Sequence, residues 1–126
     1  MADRLTAKNH IKSKGSYLDV RKSIKFKVAI TDKIDNNYCF KTLNSSHIKS
    51  FHRFLEDTVN KGLSISQVDS LYKRKKGPKE EIEIKGNKFE LIHLGKDSKP
   101  FRIFGYYNPD NYFVITRIDP KHKTHK

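Results

Sequence analysis

Apolar residues change their spacing twice along the chain, and this change limits the folds available to it. From Ile24 to Ile30 every second residue is apolar, which is the spacing of a half-buried strand. Residues 45–72 instead repeat with the period of amphipathic helices, and the strand spacing returns from Glu80 onward. Strands, then helices, then strands predict an α+β domain in which a helical hairpin packs on one face of an antiparallel sheet.

The predicted order of elements is ββ-αα-ββββ. The first helix is expected to begin at Asn44 or Ser45 and to end at Gly62. A capping box that starts at Ser64 opens the second helix, which ends at Gly77. The first two strands are expected to form a hairpin. Strands are predicted at 24–30, 38–43, 80–85, 88–94, 101–107 and 112–118.

The net charge limits the partners. The chain carries 27 Lys and Arg against 14 Asp and Glu, a formal charge of +13. A length of 126 residues suits one domain, so we predict a basic flexible arm at 1–22 and a single α+β domain at 23–126. Such a charge attracts polyanions, and nucleic acid is expected ahead of an acidic protein or an anionic membrane surface. A surface that only confers solubility is the alternative.

Several classes of protein are not expected. The sequence has no run of about 18 apolar residues and no apolar signal segment, so we predict no membrane contact and a cytoplasmic location. One cysteine, Cys39, cannot form an internal disulfide. The six histidines have no metal-binding spacing and no Gly-rich phosphate loop is present, so we expect no metal and no small-molecule cofactor.

The last predicted hairpin carries the most specific signal. A four-residue turn at 108–111 would place Arg102 opposite Arg117, on the sheet face that the helices leave open and beside Tyr106. Like charges directly opposite cost roughly 0.2–1 kcal/mol, which a phosphate bound between them would offset. The alternative is that each arginine pairs with a carboxylate, such as Glu90 or Asp119.

Two further basic segments are candidates for chemistry or binding. His122 lies between Lys121 and Lys123, and histidine is the side chain best suited to proton transfer near neutral pH. A solvated C-terminal tail is the alternative. The basic run 73–76 is expected to contact a nucleic-acid backbone, or else to be a solvated helix end.

The helical hairpin at 44–77, the segment 99–107 and the ending at 118–123 resemble the RelE/ParE superfamily of bacterial toxins, especially its HigB- and YoeB-like branch. The resemblance implies a RelE-like fold and a metal-free ribonuclease that cuts mRNA on the ribosome and is neutralised by an acidic antitoxin. It also implies that Arg102, Arg117 and His122 are the catalytic residues. The chain departs from the family pattern in its basic arm and in an extra strand on each side of the helices.

The sequence thus predicts a toxin-type, metal-independent endoribonuclease with mRNA and an antitoxin as partners. The first alternative is a non-catalytic, basic nucleic-acid-binding protein of phage or plasmid origin, and the second is a basic protein that binds only an acidic partner. RNA contacts are predicted at Lys73, Arg74, Lys75, Lys76, Lys99, Tyr106, Lys121 and Lys123.

Overall fold

The computed structural model describes residues 23–35, 37–74, 79–96 and 99–121. The predicted arm at 1–22 lies outside these residues, as do Lys75, Lys76, His122 and Lys123. Within them, no helix has the length and apolar character needed to cross a membrane. The elements in chain order are β1 (Val28–Ala29), a short 3₁₀ helix (Phe40–Thr42), α1 (Ser45–Asp57), α2 (Ile65–Tyr72), β2 (Glu80–Ile84), β3 (Asn87–Gly95), β4 (Arg102–Tyr107) and β5 (Phe113–Asp119).

The α+β class is confirmed, but the sheet is mixed and not antiparallel throughout. Its five strands lie in the order β1-β5-β4-β3-β2, and β1 pairs in parallel with β5. The chain then continues beside β5 in the same direction: the Asp35 amide donates to the Thr116 carbonyl over 2.9 Å, and the Ile118 amide donates to the Tyr38 carbonyl over 2.8 Å. The predicted first hairpin is therefore wrong, because this segment pairs with the distant β5 and never reverses onto β1.

The helix starts agree with the sequence. Asn44 caps α1, its side-chain oxygen accepting from the His47 amide over 2.9 Å, and the Asn44 amide donates to Nδ1 of His47 over 3.2 Å. Ser64 and Gln67 form the equivalent pair at the start of α2. The first helix ends earlier than predicted, at Asp57, and a turn leads to Gly62, whose positive φ of 66° suits glycine.

The β4–β5 hairpin has a different register from the predicted one. Tyr107 lies opposite Phe113, and a register shift follows between Phe104 and Gly105. Beyond the shift Phe104 faces Arg117. The turn is one residue longer than assumed, because the Asn108 amide donates to the Tyr112 carbonyl and Asn111 takes a φ of 66°. The predicted juxtaposition of Arg102 and Arg117 is therefore wrong.

The register decides what each face of the sheet carries. On the face that the helices cover, side chains of β5 pack in the hydrophobic core with Phe54, Val68 and Tyr72 of the helices. The opposite face, called the far face here, carries His93, Phe104, Tyr106 and Arg117, together with Arg102 and Asp119. Val114, which the predicted four-residue turn would have directed towards the helices, instead pairs with Tyr106 on the far face. The core residues of β5 are Phe113, Ile115 and Ile118.

Candidate functional site

A cleft of about 740 Å³ lies between α1 and the edge of the sheet at which β3 and β5 end. Its floor is apolar and is formed by Phe54, Tyr72, Leu94, Phe101 and Ile103. Cationic side chains surround this floor, and we call the site the basic cleft. Its cationic lining residues among those described are Lys49, Arg53, Lys96, Lys99 and Lys121.

The cleft exists because α1 is anchored mainly near its C-terminal end. Phe54 is the buried residue of α1, and its ring makes edge contacts with Phe26 at 6.1 Å and with Tyr72 at 5.3 Å. Nearer its start the helix presents Ser45, Ser46 and Ser50 to the cleft. One wall is therefore hydroxylated and cationic, while the floor below it is apolar.

The charges around the cleft are unbalanced. Asp57 is the carboxylate among the described lining residues, and its Oδ1 lies 3.7 Å from Nζ of Lys61 outside the cleft. Nε of Arg53 lies 3.8 Å from Oε1 of Glu56, an exposed pair on the surface of α1. Lys49, Lys99 and Lys121 form no ion pair with any residue that the structure describes. Uncompensated cations in one concave site repel one another and attract an anion, so the arrangement favours a negatively charged ligand.

Arg102, a predicted catalytic residue, is not among the residues that line the cleft. Its side chain is only 3% exposed. The guanidinium Nη1 donates to the carbonyl of Lys99 and, over 3.0 Å, to the carbonyl of Phe101. These bonds hold the side chain against the backbone, with the buried Asp119 opposite it in the sheet register.

Arg117, the second predicted catalytic arginine, packs on the far face. Its guanidinium carbon lies 4.8 Å from the centre of the Phe104 ring, a cation–π distance. Its Nε is 3.9 Å from Oδ2 of Asp35. The structure thus pairs Arg117 with a carboxylate, the alternative that the sequence left open, but the carboxylate is Asp35 in place of Glu90 or Asp119. Glu90 lies 3.6 Å from Nζ of Lys73.

Tyr106, expected to contact RNA, is 3% exposed. Its ring stacks on Phe89 at 4.5 Å, and its hydroxyl donates to Oδ2 of Asp32 over 2.6 Å. This hydrogen bond is the main cause that lowers the pKa of Asp32, with Thr31 and the charge of Lys85 acting in the same direction. Burial, and then the bond to Asp32, raises the pKa of Tyr106. The Tyr106 hydroxyl therefore stays protonated and donates to Asp32. The Tyr106 ring is buried against Phe89 and is not exposed to stack on an RNA base.

The structure brings two of the predicted RNA-contacting residues together. Lys99 and Lys121 both line the basic cleft. Lys73 instead pairs with Glu90, and the Arg74 amide donates to the His93 carbonyl over 2.7 Å. The predicted contacts of Lys75, Lys76 and Lys123, and the predicted catalytic role of His122, lie outside the described residues.

Sequence reasoning missed three cationic residues of the cleft. Lys49 and Arg53 are four positions apart, the spacing that places two side chains on one face of a helix. That signal was available before the structure. Lys96 follows the end of β3, and its Nζ lies 5.3 Å from the centre of the Tyr72 ring. No spacing rule could have placed it there. The described residues contain no group of three potential metal ligands.

Searches against protein-family models, curated proteins and solved structures found no match for this chain. The resemblance to the RelE/ParE toxins stays a prediction.

Proposed function

We propose that the protein binds single-stranded RNA in the basic cleft. One observation carries the proposal: five cationic side chains surround an apolar floor, and the one carboxylate among the described lining residues faces a lysine outside the site. Phosphates would contact the lysines and Arg53. Arginine and lysine are the side chains that neutralise nucleic-acid phosphates.

The apolar floor favours an unpaired strand over a duplex. In a duplex the base faces are stacked inside and cannot contact a protein floor, whereas an unpaired base can pack on aromatic and apolar side chains. Phe101 is partly exposed beside Lys99, so a base and its phosphate would find complementary groups next to each other. Ser45, Ser46 and Ser50 on the opposite wall supply hydroxyls that suit the sugar and its 2′-OH.

Endoribonuclease activity of the toxin type is the second candidate, favoured by the position of Lys121. This residue lines the cleft and directly precedes His122 in the sequence. Cleavage without a metal needs cations for the charge that develops when the 2′-hydroxyl attacks the phosphate, and a group that transfers protons. Lys99 and Lys121 would serve the first need and His122 the second. An acidic antitoxin would compete with RNA for the same lysines.

Binding is tested with a labelled single-stranded RNA titrated between about 50 and 200 mM salt. The double variant K99A/K121A should lower affinity at least about a hundredfold, since each charge-assisted contact contributes about 1.5–3 kcal/mol. The slope of log affinity against log salt should fall by about 1.4, since a single strand releases about 0.7 counterion per phosphate contact. Cleavage is scored in the same samples, and H122A should bind RNA without cutting it.

A matched control removes the same charge elsewhere. Lys33 and Lys88 are exposed and do not line the cleft. The variant K33A/K88A should keep affinity within about threefold, since it changes the net charge but no cleft contact. Equal losses in the two double variants would show that binding follows net charge alone and would contradict the proposed site. RNA that is bound but never cut would remove the second candidate and leave the first.

A further inference from the structure

We infer that Arg102 is a positioning residue for the basic cleft: from the far face it holds the loop 99–101, which carries Lys99 and Phe101. This inference rests on the proposed RNA binding and assigns to Arg102 a role that needs no contact with RNA. It replaces the catalytic role predicted from the sequence with an indirect one.

The first support is the pair of carbonyls that Arg102 binds. They belong to Lys99 and Phe101, whose side chains line the cleft. A guanidinium presents several N–H groups in one plane and can bind neighbouring carbonyls together. The Lys99 amide donates in turn to the Lys96 carbonyl over 3.2 Å, which links the backbones of two of the cleft's cations. Arg102 therefore fixes the loop 99–101, which supplies Lys99 and Phe101 to the cleft.

The second support is Gly95, which lies opposite Arg102 in the register of β3 and β4. A Cβ atom at residue 95 would lie 2.9 Å from both Nε and Nη1 of Arg102 and would collide with its Cδ. The arginine side chain therefore crosses β3 at residue 95, where any side chain larger than that of glycine would collide with it. Gly95 and Arg102 act as a unit, and Gly95 itself lines the cleft.

These contacts predict how the loop contributes to affinity. While Arg102 holds the carbonyls, Lys99 is ordered before RNA arrives, and binding does not have to order it. Without the guanidinium, the loop must lose conformational freedom when RNA binds, so Lys99 would contribute little. Loss of Arg102 and loss of Lys99 should then remove largely the same contribution to binding.

A double-mutant cycle on RNA affinity tests this, with R102M, K99A and their combination measured at about 100 mM salt. We expect each single variant to weaken binding about tenfold and the combination to weaken it little further, because coupled residues are not additive. K49A, which changes the opposite wall, should combine with R102M additively. R102K keeps a cationic donor of similar reach and should recover part of the affinity.

The outcomes separate the inference from the proposed function. If K99A binds RNA as well as the wild type does, the proposed site fails. If K99A weakens binding but combines additively with R102M, to about a hundredfold, Arg102 acts independently of the loop and the inference is overturned. Circular dichroism checks that each variant is folded. Should R102M unfold, the cycle is run with R102K, for which the same two results decide.

Discussion

The two faces of the sheet differ in how most of their cations are partnered. On the far face His93 stacks on Phe104 at 4.3 Å, the guanidinium carbon of Arg117 lies 4.8 Å from the centre of the same ring, and Tyr106 donates to Asp32. On the helix side Lys96 also lies over a ring, that of Tyr72, at 5.3 Å. Three other cations of the cleft border its apolar floor and have no carboxylate partner among the described residues: Lys49, Lys99 and Lys121. A cation seated on a ring or a carbonyl stabilises the fold, whereas an unpaired cation beside a cleft is available to a ligand.

This comparison moves the proposed RNA-binding surface from the far face, where the sequence predicted it, to the basic cleft on the helix side. The sequence predicted a free far face with two adjacent arginines. In the structure Phe104 is fully buried and Arg117 has both a ring and a carboxylate as partners. The cleft arises where α1 diverges from the strand ends, a feature that depends on helix placement and has no signature in strand alternation.

The largest expected effect tests whether the far face is truly packed. Phe104→Ala should destabilise the protein by about 3–5 kcal/mol, as deletion of a buried phenylalanine does in a well-packed core. Phe113→Ala, on the helix side and equally buried, should cost a similar amount. Urea unfolding followed by circular dichroism measures both. A loss below about 1 kcal/mol for Phe104→Ala would mean that the far face is open, as the sequence first suggested.

A smaller effect is expected from removing one guanidinium on each side of the sheet. Arg53→Ala, in the cleft, should weaken binding of single-stranded RNA about tenfold, since it removes one charge-assisted contact. Arg117→Ala deletes the same charge from the far face and should leave affinity within about twofold. Fluorescence anisotropy with one RNA at fixed salt compares the two. A larger loss of affinity for Arg117→Ala than for Arg53→Ala would place the RNA-binding surface on the far face.

The elements close to one another in sequence could be predicted, and those set by distant pairing could not. The caps at Asn44 and Ser64 depend on residues three positions away, so local spacing was sufficient. The parallel pairing of β1 with β5 joins residues about 85 positions apart, such as Val28 and Phe113, and periodicity cannot indicate such a partner.

The candidate site was predicted in part for the same reason. Lys99 and Lys121 were predicted because they lie in the segments 99–107 and 118–123 that resemble the toxins, and both line the cleft. The turn is one residue longer than assumed, and the irregularity beside Phe104 shifts the register once more, so Arg102 lies opposite Asp119 and Arg117 lies opposite Phe104. A bulge inserts one residue and reverses the face of every side chain beyond it, and nothing in the local composition marks its position.

The smallest expected effect concerns the hydrogen bond that fastens residues near Asp32 to the far face. Tyr106→Phe removes one hydroxyl and keeps the ring stacked on Phe89. The bond from Tyr106, with help from Thr31 and Lys85, lowers the pKa of Asp32 in the folded protein, while in the unfolded chain it returns to about 3.9. This stabilisation is therefore complete above the unfolded pKa and is lost as the pH falls through the lower, folded value.

Tyr106→Phe should accordingly lower the Tm slightly at pH 7, by less than Phe104→Ala does, and the difference from the wild type should shrink on acidification below about pH 4. Thermal unfolding between about pH 7 and pH 3 measures it. Asp32→Asn provides the control, since it removes the titrating carboxylate, and in that background the effect of Tyr106→Phe should not change with pH. A difference that stayed constant down to pH 3 would show that the tyrosine stabilises the far face through packing alone, without the charged hydrogen bond.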